Sequence, residues 1–128
     1  MPQGRCQFGK PDTRPKVRKQ AWERDRDHLA FIRHLPCAGC NNKPPVEAAH
    51  VRNGSDGAVS RKPSDRYAVP LCPPCHGSQH NMGEFSFWSM CRGDPLDLAA
   101  KLWSLSRKYK GEQLIEMGRY AVQEWRRR

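Results

Sequence analysis

Four of the six cysteines form two Cys-x2-Cys pairs, Cys37/Cys40 and Cys72/Cys75, with 31 residues between them. A Cys-x2-Cys turn brings two thiolates to one side of a knuckle, and two knuckles complete the tetrahedral S4 set that Zn2+ accepts at about 2.3 Å per bond. Pro36 and Gly39 around the first pair, and Pro73 and Pro74 inside the second, suit such turns. An even cysteine count also suggests disulfides, but the N-terminus has basic residues and no apolar signal core, and a reducing cytosol disfavours disulfides. A redox pair of thioredoxin type needs one Cys-x-x-Cys near a βαβ pattern, which is not read here. A structural zinc on Cys37, Cys40, Cys72 and Cys75 is therefore expected, with Cys6 an ordinary arm residue and Cys91 a helix-packing one.

Three of the five histidines add a second chemistry. His76 and His80 are spaced i, i+4, so on a helix both imidazoles project from one face with β carbons about 5–6 Å apart, close enough to grip one cation. His76 directly follows Cys75, and His50 ends the apolar run VEAAH. His28 and His34 fall on a different helix, where an exposed or capping role is expected.

The elements that must position these groups follow from periodicity and turn chemistry. From Asp25 the run DRDHLAFIRHL puts Leu29, Ile32 and Leu35 on one stripe, a short helix that ends before Pro36. Strands are expected over 46–52 and 67–71, joined by a long loop with Gly54 and Gly57. Pro73 and Pro74 suit the first turn of a helix carrying Cys75, His76 and His80, and a further short helix follows Gly83. Asp94 and Pro95 open a helix with Leu98, Leu102 and Leu105 in phase. A last helix over 112–125 has Leu114, Ile115, Met117 or Gly118, Ala121, Val122 and Trp125 in phase. A hairpin, a zinc clamp across its base and a helix presenting His-x3-His outline a ββα-metal core. The fold class is thus α+β, with this core flanked by helices. The expected division is an extended basic arm over 1–24, the core over 25–92, and a helical extension with a basic tail over 93–128.

Charge points to a partner. The 128 residues hold 23 Lys and Arg against 13 Asp and Glu, a net charge of +10. Residues 1–26 and 101–128 each carry eight basic and three acidic side chains, so the middle nets zero. Two basic ends around a neutral centre suit a polyanion, and nucleic acid gains affinity from each neutralised phosphate through counterion release. No apolar run approaches the roughly 20 residues that span a bilayer, so a soluble, cytoplasmic chain without a membrane partner is expected. The length excludes a large multidomain enzyme, and the 37% hydrophobic content is thin for a core held by burial alone.

The segments LPCAGC, EAAHVRNGSDG, KPSDRYAVPLCPPCH and GSQH, spread over 28–88, resemble the zinc-clamped HNH nucleases of phages and prophages. They are close to the group with an Ala-His-Val-Arg core that includes a recombinase-dependent phage nuclease. The resemblance covers about half of the chain. It implies DNA phosphodiester hydrolysis, a catalytic divalent ion, Mg2+ or Mn2+, beside the structural zinc, and a recombination or replication partner. It matches His50 to the general base, His76 to a metal ligand and His80 to a second ligand. Two positions depart from the pattern. Ala49 stands where the family often has an acidic or histidine ligand, and Asp65, Arg66 and Tyr67 stand where its central Asn usually orients the base. Either Asp65 supplies a carboxylate, or His50 is itself a ligand and another group activates water.

Phosphodiester hydrolysis needs a deprotonated water, positive charge against the phosphorane and leaving oxygens, and a donor to hold the phosphate. A neutral imidazole suits the base. Arg52, two residues beyond His50, would share its face if the strand continued, and is assigned to a phosphate. Arg61, Lys62, Arg66, Arg126, Arg127 and Arg128 are the other candidate DNA contacts. Asp56 and Asp65 also fit ordinary turn chemistry. The expected function is a metal-dependent HNH endonuclease acting on DNA. The alternative is a noncatalytic zinc-knuckle module that binds nucleic acid or protein.

Overall fold

A computed structural model describes residues 23–57, 62–91 and 93–127. The arm at 1–22, together with Arg61 and Arg128, lies outside them. The described elements run α1 (Arg26–Arg33), β1 (Glu47–His50), a 3-10 turn (Asp65–Tyr67), β2 (Ala68–Leu71), α2 (Pro73–Met82), α3 (Glu84–Ser89), α4 (Pro95–Lys108) and α5 (Gly111–Arg126). This is the expected α+β class.

Two helices start as their caps dictate. The Asp25 carboxylate accepts from the His28 N–H, and the Asp94 carboxylate accepts from the Leu96 N–H with Pro95 in the first turn. Both strands are shorter than expected. β1 pairs antiparallel with β2 in the register Glu47 to Leu71 and His50 to Ala68, and one further bond runs from the Val51 N–H to the Tyr67 carbonyl. The chain then leaves the ladder because the Glu84 carboxylate accepts from the N–H groups of Arg52 and Asn53, at 2.7 and 2.9 Å. Tyr67, expected to begin the second strand, belongs to the 3-10 turn instead.

The hairpin is covered by α1, through Phe31 and Ile32, and by Leu35 just past its end, and β2 also meets α4. α5 packs against α4 with Leu114, Val122 and Trp125. Of the two residues offered for its inner face, Gly118 is buried and Met117 only partly so. A β carbon at Gly118 would stand 2.6 Å from the Phe31 ring and 2.8 Å from Leu35, so a larger residue would push α5 off α1.

His28 overturns its expected exposure. It is 1% exposed, edge-on to Trp103 at 4.9 Å, because positions 28, 31 and 32 share the inner stripe of α1. The Ser106 hydroxyl donates to the Trp103 carbonyl and so accepts from His28 Nδ1–H at 2.8 Å, which leaves Nε2 as a buried lone pair without a partner. Burial, against attraction from Asp25, holds the imidazole pKa at about 4. The folded chain therefore resists a proton that the unfolded chain accepts at about 6.5. Stability is expected to be full above that pH and to fall by on the order of 3 kcal/mol as pH drops toward 4. Denaturant titrations at stepped pH check this, and His28→Phe should flatten the loss.

Candidate functional site

The two knuckles close as expected. The Sγ atoms of Cys37, Cys40, Cys72 and Cys75 all lie within 4.8 Å of one another, with Cys40 and Cys72 at 3.6 Å. Tetrahedral bonds of about 2.3 Å to one ion would set the sulfurs roughly 3.8 Å apart, so the cluster has the size and donor type of a zinc site. The first knuckle is fixed by N–H groups of Gly39 and Cys40 directed at Cys37 Sγ, at 3.3 and 3.4 Å. It is docked on the hairpin by the Ala38 N–H, which donates to the Pro70 carbonyl at 2.8 Å. The second knuckle is the start of α2, with Cys72 at its cap and Pro73 in its first turn. Burial opposes ionisation of Cys37, but N–H groups of Cys72, Cys40 and Gly39 outweigh it and lower its pKa. Burial, and then the neighbouring thiols, push Cys75 above the ordinary thiol range. Four thiolates in one place need a cation, and a divalent ion bound there would supply it. Cys91 is half-buried just after α3, its thiol 3.9 Å from the Phe87 carbonyl.

His50 stands at the other end of β1, its side chain 13% exposed, with Nε2 2.9 Å from Asp65 Oδ1. A carboxylate only accepts, so Nε2 carries the proton and Nδ1 keeps the lone pair. Burial lowers the imidazole pKa, the Asp65 hydrogen bond and charge oppose this, and the charges of Lys62 and Arg24 add to the lowering. The net shift is downward, which leaves the ring neutral at pH 7.

Asp65 is more than turn chemistry. It is 2% exposed, and its second oxygen accepts from the Asp25 N–H at 2.7 Å. The segments around it are clasped: the Asp65 N–H donates to the Glu23 carbonyl, the Glu23 N–H to Ser64 Oγ, and the Arg24 guanidinium to the carbonyls of Pro63 and Lys62. Asp56 braces the same corner by accepting from the Ser64 N–H at 2.8 Å. Glu23 and Arg24, assigned to the arm by composition, are thus bound to the core.

His76 and His80 share one face of α2, with ring centroids 4.9 Å apart. His76 Nδ1 is 2.8 Å from Glu47 Oε1, and since that carboxylate also only accepts, the His76 Nε2 lone pair is left open. Glu47 is a site residue that sequence reasoning missed, and its position three residues before His50 is the only local signal for it. Glu47 and His50 have opposite parity along β1, and the structure makes two pairs, His50 with Asp65 and His76 with Glu47. Among the described residues, the four cysteines are the group of three or more potential ligands that closes within 4.8 Å.

The candidate phosphate contacts are scattered. Arg52 is exposed, but it lies past the end of β1, so strand alternation does not carry it to the His50 face. Lys62 is exposed beside the His50 corner. Arg66 is held by both oxygens of Glu23, at 2.6 and 3.1 Å, and lies over the Trp103 ring. Arg126 donates to the Ala38 carbonyl at 2.8 Å, and Arg127 pairs with Glu124 at 2.8 Å. No helix of the described residues is long and apolar enough to cross a membrane.

No curated protein and no solved structure matches the chain. One family model, described as "Protein of unknown function (DUF968)", matches residues 12–108, a span that takes in both knuckles, the hairpin, His50, Asp65, His76 and His80. The chain belongs to the DUF968 family.

Proposed function

We propose that this chain is a metal-dependent endonuclease of HNH type that hydrolyses DNA phosphodiester bonds. The observation that carries the reading is the pair of His50 Nε2 and Asp65 Oδ1 at 2.9 Å, at the end of a hairpin whose base holds the four-cysteine cluster. Asp65 orients the imidazole and selects its tautomer, and His50 Nδ1 takes the proton of the attacking water as general base. This gives Asp65 the part of the missing Asn. Its two oxygens serve two donors, His50 Nε2–H and the Asp25 N–H, which one amide oxygen could not do. His76 and His80 are the residues that would hold a divalent cation, with Glu47 fixing the His76 ring. Mg2+ or Mn2+ bound there would supply positive charge against the phosphate. Lys62 and Arg24 bring positive charge near His50, beside the larger negative influence of Asp65, and are the cations there that could meet a phosphate.

The competing reading is a noncatalytic zinc-knuckle module. The observation on its side is that His50 and the His76/His80 face form separate pairs. Incubation of the zinc-loaded chain with supercoiled plasmid and Mg2+ or Mn2+ decides between them. Nicking that depends on the cation supports the enzyme, and an inert but DNA-binding protein supports the module.

The basic ends belong to the same proposal. Residues 1–22 hold six Lys and Arg against a single acidic residue, Asp12. If they bind phosphates, their deletion should weaken DNA binding about equally across sequences. It should also flatten the plot of log affinity against log salt by about 0.9 for each phosphate no longer neutralised. An unchanged slope would leave the arm out of the DNA interface.

A further inference from the structure

The last helix, α5, lies beyond residue 108, where the family match ends, yet it holds the first knuckle at two points. Gln123 Nε2 donates to Asn41 Oδ1 at 2.8 Å, and Arg126 Nη1 donates to the Ala38 carbonyl at 2.8 Å. Positions three apart are neighbours on a helix surface, so one face of α5 supplies both donors. Asn41 closes the knuckle. Its backbone is left-handed, with φ 68°, and its N–H donates to the Cys37 carbonyl at 2.8 Å. Ala38 lies inside the knuckle, between Cys37 and Cys40, and is buried.

The Ala38 carbonyl and the Gly39 N–H are the two ends of one planar peptide unit. That N–H is directed at Cys37 Sγ, at 3.3 Å. The guanidinium, the peptide and the sulfur therefore form one chain of hydrogen bonds, in which a cation at one end polarises the donor at the other. A second sulfur sits against the same unit, since a β carbon at Gly39 would stand 3.0 Å from Cys75 Sγ. Four thiolates around Zn2+ form a dianion, so positive charge relayed to the sulfurs favours the metal-bound state. We propose that Arg126 is a positioning residue of the zinc site, which acts through the Ala38–Gly39 peptide on Cys37 and slows release of the ion, while Gln123 fixes the end of the same knuckle. The inference rests on the four-cysteine assignment and is independent of the endonuclease reading. It assigns to the metal site a side chain that charge alone would assign to DNA.

The test uses the full, zinc-loaded chain and follows transfer of zinc to an excess of a colorimetric chelator. Arg126→Met keeps the apolar stem and removes the donor, and it should release zinc about tenfold or more faster than wild type. With Co2+ loaded in place of zinc, its visible absorption bands should shift, because they report the field of the sulfurs. Arg126→Lys restores a cationic donor and should recover part of the wild-type rate. Arg127→Ala removes a neighbouring charge that pairs with Glu124 instead, and it should release zinc as wild type does. Release from Arg126→Met at the wild-type rate, or equal acceleration in Arg127→Ala, would overturn the proposal. A lowered melt in Arg126→Met with unchanged release and an unchanged Co2+ spectrum would also overturn it, leaving Arg126 an anchor of α5 only. Wild type that holds no zinc would remove the four-cysteine assignment and the relay with it.

Discussion

His50→Ala is expected to lower the rate of DNA cleavage by about 10²- to 10⁴-fold while leaving zinc content and DNA affinity near wild type. A general base acts in the transition state, so its loss appears in kcat, whereas affinity is spread over many charges. The side chain is 13% exposed and donates to the buried Asp65 carboxylate, so its loss should also lower stability, by about 1–3 kcal/mol. The acid limb of the wild-type rate should lie below the usual imidazole value of about 6.5, because burial lowers the pKa of His50 more than Asp65 raises it. Asp65→Asn is the informative companion. The amide has one acceptor for two buried donors, so either His50 or the Asp25 N–H faces an NH2 group, at a cost of about 1–3 kcal/mol. Loss of activity with a lowered melt is therefore expected from both variants, and Asp65→Asn should in addition loosen the clasp of residues 23–25 through the Asp25 N–H. A wild-type melt in Asp65→Asn would contradict the double role of Asp65.

Cys72→Ser is expected to abolish the cooperative melt. Cys72 is buried at the cap of α2, and its thiol joins the strand end to the knuckle of Cys37 and Cys40. Apparent zinc binding energies for such sites are on the order of 10 kcal/mol, comparable to the whole stability of a small domain. The same lesion should remove the seat of His76, which follows Cys75 in the first turns of α2. Zinc content should fall from one per chain to none, measured by chelator release, with loss of the near-ultraviolet signal of the buried tryptophans. One zinc per chain and an unchanged melting transition in Cys72→Ser would remove the four-cysteine assignment.

Much of the fold is legible in the sequence because its signals are local. The knuckles are spacings, and the starts of α1 and α4 are capping residues whose side-chain oxygens accept as their types predict. The burial of His28 is not legible in this way, because its polar ring argues for the surface, although it keeps phase with Phe31, Ile32 and Leu35. Asp65 is not legible beyond its turn. Its burial depends on residues 23–25, about 40 positions away, closing over it, and no short motif encodes that contact. Glu84 and Glu47 are of the same kind. Each is an ordinary acidic residue at an element end until the fold brings it to the N–H groups of Arg52 and Asn53, or to the ring of His76. The early end of β1 follows from Glu84, so the expected alignment of Arg52 with His50 fails for a reason that lies 32 residues further along the chain.

The central claim is that the His50–Asp65 corner and the His76/His80 face work together in cation-dependent hydrolysis of DNA. Its most direct test is the initial rate of supercoiled-plasmid nicking across a Mn2+ titration, with wild type, His50→Ala and His76→Ala purified in parallel and each carrying one zinc. The expected result is a saturable rise for wild type, a rise displaced to higher Mn2+ for His76→Ala, and a flat, near-zero line for His50→Ala at every concentration. Wild type inert at all concentrations, or all three proteins nicking at one rate, would contradict it.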